Sequence, residues 1–233
     1  MNRDIGVTEL LRTHLPEWTV PVFELVSMLG DELVVVAVLL VLAGADAYRS
    51  FERGSGQVLS DRTAFVIAVV LGGLALTLVL KTAFGFSRPP ESLQAVPRES
   101  SGFPSGYTMA ATILWTALAL WSTRFTRRSR LLAATGGIAL VAVSRLALGV
   151  HYFVDVVASV VFGVGMLVLA VRLTRGDPET AFAGSAALGA LALIVTGATT
   201  DGWLAFVGCV GAAGGWWILN RPRVRALWLS TTQ

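Results

Sequence analysis

Three short blocks of this sequence carry residues suited to holding and transferring a phosphoryl group. KTAFGFSRP sets Lys81 seven residues ahead of Arg88, with Pro89 next. PSGY runs from Pro104 to Tyr107 and contributes Ser105 and Gly106. SRLALGVHYFVD brings Ser144, Arg145, His151 and Asp155 into one stretch. Arginine meets phosphate oxygens with a two-pronged fork and lysine acts as a point charge, so Lys81, Arg88 and Arg145 suit a phosphate cradle. Ser105 and Gly106 stand where a helix opens, which turns backbone N–H groups and the positive end of the helix dipole toward an anion. Glycine also lets the backbone come close to it. His151 and Asp155 are four residues apart and share a helix face. A carboxylate there can orient the imidazole and stabilise its cation, which fits His151 for nucleophilic attack on phosphorus.

Taken singly, each block has a plainer reading. Lys81 can snorkel at a helix end, Ser105 and Gly106 can be an ordinary helix N-cap, and His151 with Asp155 can be a structural hydrogen bond. Together they fall at helix ends on one face. They also include the chain's one lysine and, of its two histidines, the one at a span end. Ionisable residues at such positions point to function. His14 has no partner at useful spacing.

Helices must position these blocks, and the composition says that the helices cross a membrane. Of 233 residues, 55% are hydrophobic and 14% charged, against about 25% charged in ordinary globular chains; the mean hydropathy is +0.70. This excludes a soluble enzyme, a disordered chain, a disulfide scaffold and a large multidomain protein. Uncharged runs recur at 33–45, 63–80, 100–123, 131–144, 156–171, 180–200 and 202–220. A span needs about 20 apolar residues, so helices are predicted near 31–48, 62–86, 105–123, 130–149, 152–173, 181–200 and 202–220. The expected fold is all-α, a polytopic bundle of six to seven transmembrane helices. The span at 181–200 is rich in Gly and Ala, a helix-packing signal. Residues 1–30, with Trp18 and Phe23, read as an amphipathic interfacial segment without the compact apolar run of a signal peptide. Residues 31–220 form a single transmembrane domain and 221–233 a cytoplasmic tail. Cys209, the one cysteine, behaves as a small hydrophobe, which leaves no disulfide framework or zinc cluster.

Residues 87–104 form the one long irregular connection and hold four of the eight prolines. Irregular backbone cannot face lipid, and long loops on rigid scaffolds tend to carry function. One set of connections holds twelve arginines: Arg49, Arg53, Arg62, Arg124, Arg127, Arg128, Arg130, Arg172, Arg175, Arg221, Arg223 and Arg225. The opposite side holds Arg3, Arg12, Lys81, Arg88, Arg98 and Arg145. The positive-inside rule puts the first set in the cytoplasm and the three blocks on the extracytoplasmic face of the plasma membrane. The net charge of +3 is thus a topology signal, and no nucleic-acid partner is expected. A transporter fits the hydropathy, but transporters usually repeat between halves, and residues 31–123 and 130–220 show no such repeat.

Over about residues 62–173, the blocks and their spacings resemble those of the type 2 phosphatidic acid phosphatases (PAP2), integral membrane lipid phosphatases. The first family motif, lysine, six residues, Arg-Pro, is met by Lys81, Arg88 and Pro89. The third, Ser-Arg, five residues, His, three residues, Asp, is met by Ser144, Arg145, His151 and Asp155. The resemblance implies a PAP2-like core of six helices with phosphate held by Lys81, Arg88, Ser105, Gly106 and Arg145. It also implies attack by His151 to give a phosphohistidine, orientation of His151 by Asp155, and neither metal nor other cofactor.

The second motif departs from the pattern, because the family's Pro-Ser-Gly-His is Pro-Ser-Gly-Tyr here and Tyr107 replaces the histidine taken to protonate the leaving oxygen. A positioned acid is worth about 10²–10⁴ in rate, and a phenol of unperturbed pKa about 10 is a poor one near neutrality. A lipid monophosphate must expel an alkoxide, whereas a lipid diphosphate expels a phosphate monoester that leaves with little protonation. The expected activity is therefore hydrolysis of a lipid phosphate or diphosphate, with a polyprenyl diphosphate favoured and membrane lipids as surroundings. The alternatives are a lipid phosphotransferase, or a lipid-phosphate binder in which Tyr107, natural or introduced, has impaired catalysis.

Overall fold

The computed structural model describes residues 6–231. Residues 1–5, with Arg3, and residues 232–233, the outer ends of the expected N-terminal segment and tail, lie outside the described residues. In chain order the helices are α1 (Gly6–His14), α2 (Val20–Ser27), α3 (Glu32–Glu52), α4 (Asp61–Phe84), α5 (Gly106–Trp121), α6 (Arg127–Ala147), α7 (Phe153–Thr174), α8 (Pro178–Val195), α9 (Thr200–Leu219) and α10 (Pro222–Thr231). Short 3-10 turns occupy Glu17–Thr19, Met28–Gly30 and Glu91–Leu93, and no strand occurs among the described residues. Each predicted span corresponds to one helix from α3 to α9. Six of these are long and apolar enough to cross a membrane, while α5, with 16 residues, is shorter. The protein is all-α and polytopic, an integral multi-pass membrane protein as its composition implies.

Polar punctuation between the uncharged runs starts the helices. The Asp31 Oδ1 accepts from the Leu33 N–H at 2.9 Å and caps α3. Thr126 accepts from Ser129 N at 3.2 Å before α6, and Asp177 from Thr180 N at 2.7 Å before α8. Thr199 accepts from Gly202 N at 3.3 Å before α9. Each such cap satisfies an orphan N–H and contributes about 1 kcal/mol.

The chain forms two compact units. In the first, the described residues up to Val35 associate with Thr77–Met166. Its core includes Met109, Ile113 and Leu114 of α5 and Val141 of α6, all fully buried. Here α1 and α2 pack along α6, and the Met28–Gly30 turn sits on α5, pinned by Trp115 Nε1 donating to Leu29 O at 3.0 Å. The second unit comprises Val36–Leu76 and residues from Leu167 onward. Within it α8 and α9 pack closely. A Cβ at Gly189 would lie 2.8 Å from the Cβ of buried Cys209, so the small residue in α8 is what lets the helices approach. Phe182 and Trp216 stack at 5.8 Å, and Phe51 meets Trp228 of α10 edge-on at 5.9 Å. Leu40, Val41, Val161, Leu169, Ile194 and Leu204 point outward and exposed, the apolar exterior that a lipid solvent allows.

Candidate active site

All eight site residues named from the sequence fall in the first unit. The long loop is folded around Arg88. Its Nε donates to Ser100 O at 2.7 Å and its Nη2 to Ser100 Oγ at 2.8 Å. Its Nη1 donates to Val150 O at 2.9 Å and lies 3.0 Å from His151 Nε2. Gly102 N donates to Phe86 O at 2.7 Å and closes the loop's neck. Beside this neck Phe84 and Phe103 meet edge-on at 5.0 Å. Ser101 Oγ donates to Lys81 O at 3.2 Å, tying the loop to the last turn of α4. Burial, followed by the nearby positive charge of Arg98, lowers the Arg88 pKa to about 10.

The third block owes its geometry to the end of α6. Val150 N donates to Arg145 O at 3.3 Å and Gly149 N to Leu146 O at 2.9 Å, while Gly149 has φ +71°. This is a Schellman motif, which needs a left-handed residue just past the helix. A Cβ at Gly149 would also overlap the Leu93 carbonyl oxygen. The reversal leaves Arg145 in the last turn of α6 and His151 just beyond the bend. Asp155 then opens α7, its Oδ2 accepting from Tyr152 N at 2.9 Å, the reach-back half of a capping box.

The His151 ring is 1% exposed and held at both nitrogens. Its Nδ1 lies 2.7 Å from Gly102 O, and a carbonyl can only accept, so Nδ1 carries the proton. Its Nε2 faces Arg88 Nη1, which can only donate, so Nε2 presents its lone pair. Asp155 Oδ2 lies 3.5 Å from Nδ1, beyond good hydrogen-bond range; the Gly102 carbonyl is the nearer orienting group. Burial first, then the charges of Arg145, Arg88 and Lys81, hold the His151 pKa well below 6.5, against a smaller opposing effect of the Gly102 hydrogen bond. The imidazole is therefore neutral at neutral pH, the form a nucleophile requires.

The second block opens α5. Ser105 is its fully buried N-cap residue, with Oγ 3.0 Å from Thr108 Oγ1 and its N–H donating to Asp155 O at 3.4 Å. A Cβ on Gly106 would come within 3.7 Å of Lys81 Nζ, which places the ammonium against this helix start. Arg145 is 1% exposed and its guanidinium carbon lies 4.3 Å from the centroid of the Tyr107 ring. Its Nε and Nη1 have no hydrogen-bond partner among the described residues. Buried donors are rarely left so, and the N–H groups of a guanidinium match phosphate oxygens. The Tyr107 hydroxyl donates to Asp31 Oδ2 at 2.9 Å.

Sequence reasoning missed Asp31, Gly102, Ser100 and Thr8, whose Oγ1 donates to His151 O at 2.9 Å. Only Asp31 carried a signal, as an acid at the start of an uncharged run. Among the described residues, no three His, Cys, Asp or Glu side chains gather as a metal site would require.

A membrane-spanning helical fold with arginines gathered around a buried neutral histidine defines a class, integral membrane proteins with a buried cationic site. The family model described as the PAP2 superfamily matches residues 62–177, and the chain belongs to that superfamily. Its fold is similar to that of a transmembrane PAP2-type phosphatidylglycerolphosphate phosphatase from Bacillus subtilis, with a TM-score of 0.64 at 20% identity over 73% of this chain and 84% of that one. No curated protein matches the chain.

Proposed function

We propose that this protein is a membrane lipid phosphatase that hydrolyses a lipid diphosphate, such as a polyprenyl diphosphate, through a phosphohistidine at His151 on the extracytoplasmic face of the plasma membrane. The observation that carries this reading is the state of His151: a buried neutral imidazole with its proton on Nδ1 and its Nε2 lone pair beside an arginine. Membership of the PAP2 superfamily supports the reaction class, and the twelve arginines on the other connections support the orientation. The outward Leu10, Trp18, Val22 and Leu25 support an interfacial setting for the N-terminal segment.

In this mechanism the terminal phosphate binds Arg145 through its unpartnered Nε and Nη1, with Lys81, Gly106 and Ser105 at the α5 start. Arg88 Nη1 turns from His151 Nε2 onto a phosphate oxygen and so frees the lone pair. Nε2 then forms a bond to phosphorus while the bond to the bridging oxygen breaks, its electron pair leaving with the lipid monophosphate. The imidazolium that results keeps its Nδ1 proton on Gly102 O, with the Asp155 charge close by. In the second step water oxygen bonds to phosphorus, the P–N bond breaks, and one water proton is released. Lipid monophosphate and inorganic phosphate are the products.

Purified protein should release phosphate from a polyprenyl diphosphate faster than from phosphatidic acid at matched concentration. His151→Ala should abolish release and the acid-labile phosphoprotein trapped by rapid quenching. Retained turnover in His151→Ala defeats the nucleophile assignment, and faster release from phosphatidic acid defeats the substrate assignment.

A further inference from the structure

We propose that Asp31 is a specificity-determining residue that acts through Tyr107: by accepting the phenol's hydrogen bond, it leaves the site without a free acid and restricts turnover to leaving groups that depart unprotonated. The proposal rests on the phosphatase reading above and extends it to a residue that none of the three sequence blocks contains.

The geometry begins with Gly30. A Cβ there would overlap the Tyr107 carbonyl oxygen, so glycine lets the Met28–Gly30 turn press against the first turn of α5. Trp115 Nε1 locks the same turn through Leu29 O at 3.0 Å. Asp31 follows directly and uses its two oxygens differently. Oδ1 accepts from Leu33 N at 2.9 Å and caps α3; Oδ2 accepts from the Tyr107 hydroxyl at 2.9 Å. A carboxylate only accepts, so the phenol proton points at Asp31 and away from any leaving group. The Tyr107 ring lies against the Arg145 guanidinium at 4.3 Å, on the phosphate side of the site. The hydroxyl that stands where the second block's acid is expected therefore has its proton committed to Asp31.

The two functions of Asp31 can be separated. Asp31→Ser keeps a good N-cap for α3 but is too short to reach Tyr107, and it frees the hydroxyl to donate into the site. The test compares kcat/KM for farnesyl phosphate with that for farnesyl diphosphate, the same lipid with and without the better leaving group. A general acid contributes about 10²–10⁴ and a phenol stands at the weak end, so Asp31→Ser should raise the monophosphate-to-diphosphate ratio about tenfold or more. Tyr107→Phe keeps the ring against Arg145 and should leave the ratio within about threefold of wild type. The double variant should lose the gain. A purely structural Asp31 would lower both rates together and leave the ratio alone, and that result overturns the proposal. So does a gain that survives in the double variant. Should Asp31→Ser fail to fold, Tyr107→Phe decides alone, because a ratio that falls tenfold shows the phenol already acting as the acid. If wild type releases phosphate from neither substrate, the phosphatase reading falls and this proposal with it; release with an unmoved ratio in Asp31→Ser overturns this proposal only.

Discussion

Replacing Arg145 by methionine should make the resting protein more stable and nearly inactive. The guanidinium is 1% exposed, lacks partners for Nε and Nη1 among the described residues, and is compensated on one face by the Tyr107 ring at 4.3 Å. Burying an ion costs several kcal/mol after relaxation, and a desolvated cation–π contact returns about 2 kcal/mol. The remainder, roughly 1–4 kcal/mol, is strain that Arg145→Met relieves, because methionine fills similar volume without a charge. At about 2–4 °C per kcal/mol for a chain of this size, the melting temperature in detergent should rise measurably. In the reaction the same side chain is expected to supply two charge-assisted hydrogen bonds, each worth about 1.5–3 kcal/mol. Their loss corresponds to about 10²–10⁴ in kcat/KM. The assay is paired: thermal unfolding with and without inorganic phosphate, and phosphate release on the same preparations. Phosphate should raise the melting temperature of wild type and not of the variant. A variant that melts lower than wild type, or that phosphate stabilises equally, refutes the argument that Arg145 is held unpaired for an anion.

Two further outcomes follow from the site's construction. Gly149→Ala should destabilise by at least about 2 kcal/mol, since φ +71° disfavours a Cβ and that Cβ would overlap Leu93 O; thermal unfolding reads the loss, with phosphate release falling in parallel as His151 shifts. Because the folded state holds the His151 pKa below 6.5, the unfolded chain takes up a proton first as pH falls, so stability is full above about pH 6.5 and declines below it. The decline should reach about 1 kcal/mol over the first pH unit, and unfolding at pH 7.5 and 5.5 should show a smaller loss in His151→Ala.

Much of the fold was legible because a membrane imposes one strong rule. Every span must be an apolar helix, so α3 to α9 could be read from uncharged runs, to within a few residues at most ends. The Gly- and Ala-rich stretch of α8 likewise foretold close packing, realised where Gly189 meets Cys209. The N-terminal segment was harder. Its amphipathic pattern is satisfied equally by lipid and by protein, and only the structure places Thr8 on His151 O and the Met28–Gly30 turn on α5. The orientation of His151 was also illegible in detail. The spacing of four to Asp155 suggested that carboxylate, yet the nearer partner is the Gly102 carbonyl at 2.7 Å, and a backbone oxygen leaves no trace in residue identity.

The sequence by itself determined the solvent and the helices and singled out the groups proposed to react, since charge sparseness, span length and the spacing of Lys81, Arg88, Arg145 and His151 are all local properties. Tertiary structure decided which atoms those groups present. The proton of His151 is set by a residue 49 positions away, its carbonyl is held by one 143 away, and the hydroxyl of Tyr107 is claimed by Asp31 across 76 positions. Hydrogen bonds at such separations depend on how helices pack, which no local pattern encodes, and on that packing rests whether Tyr107 has a proton to give.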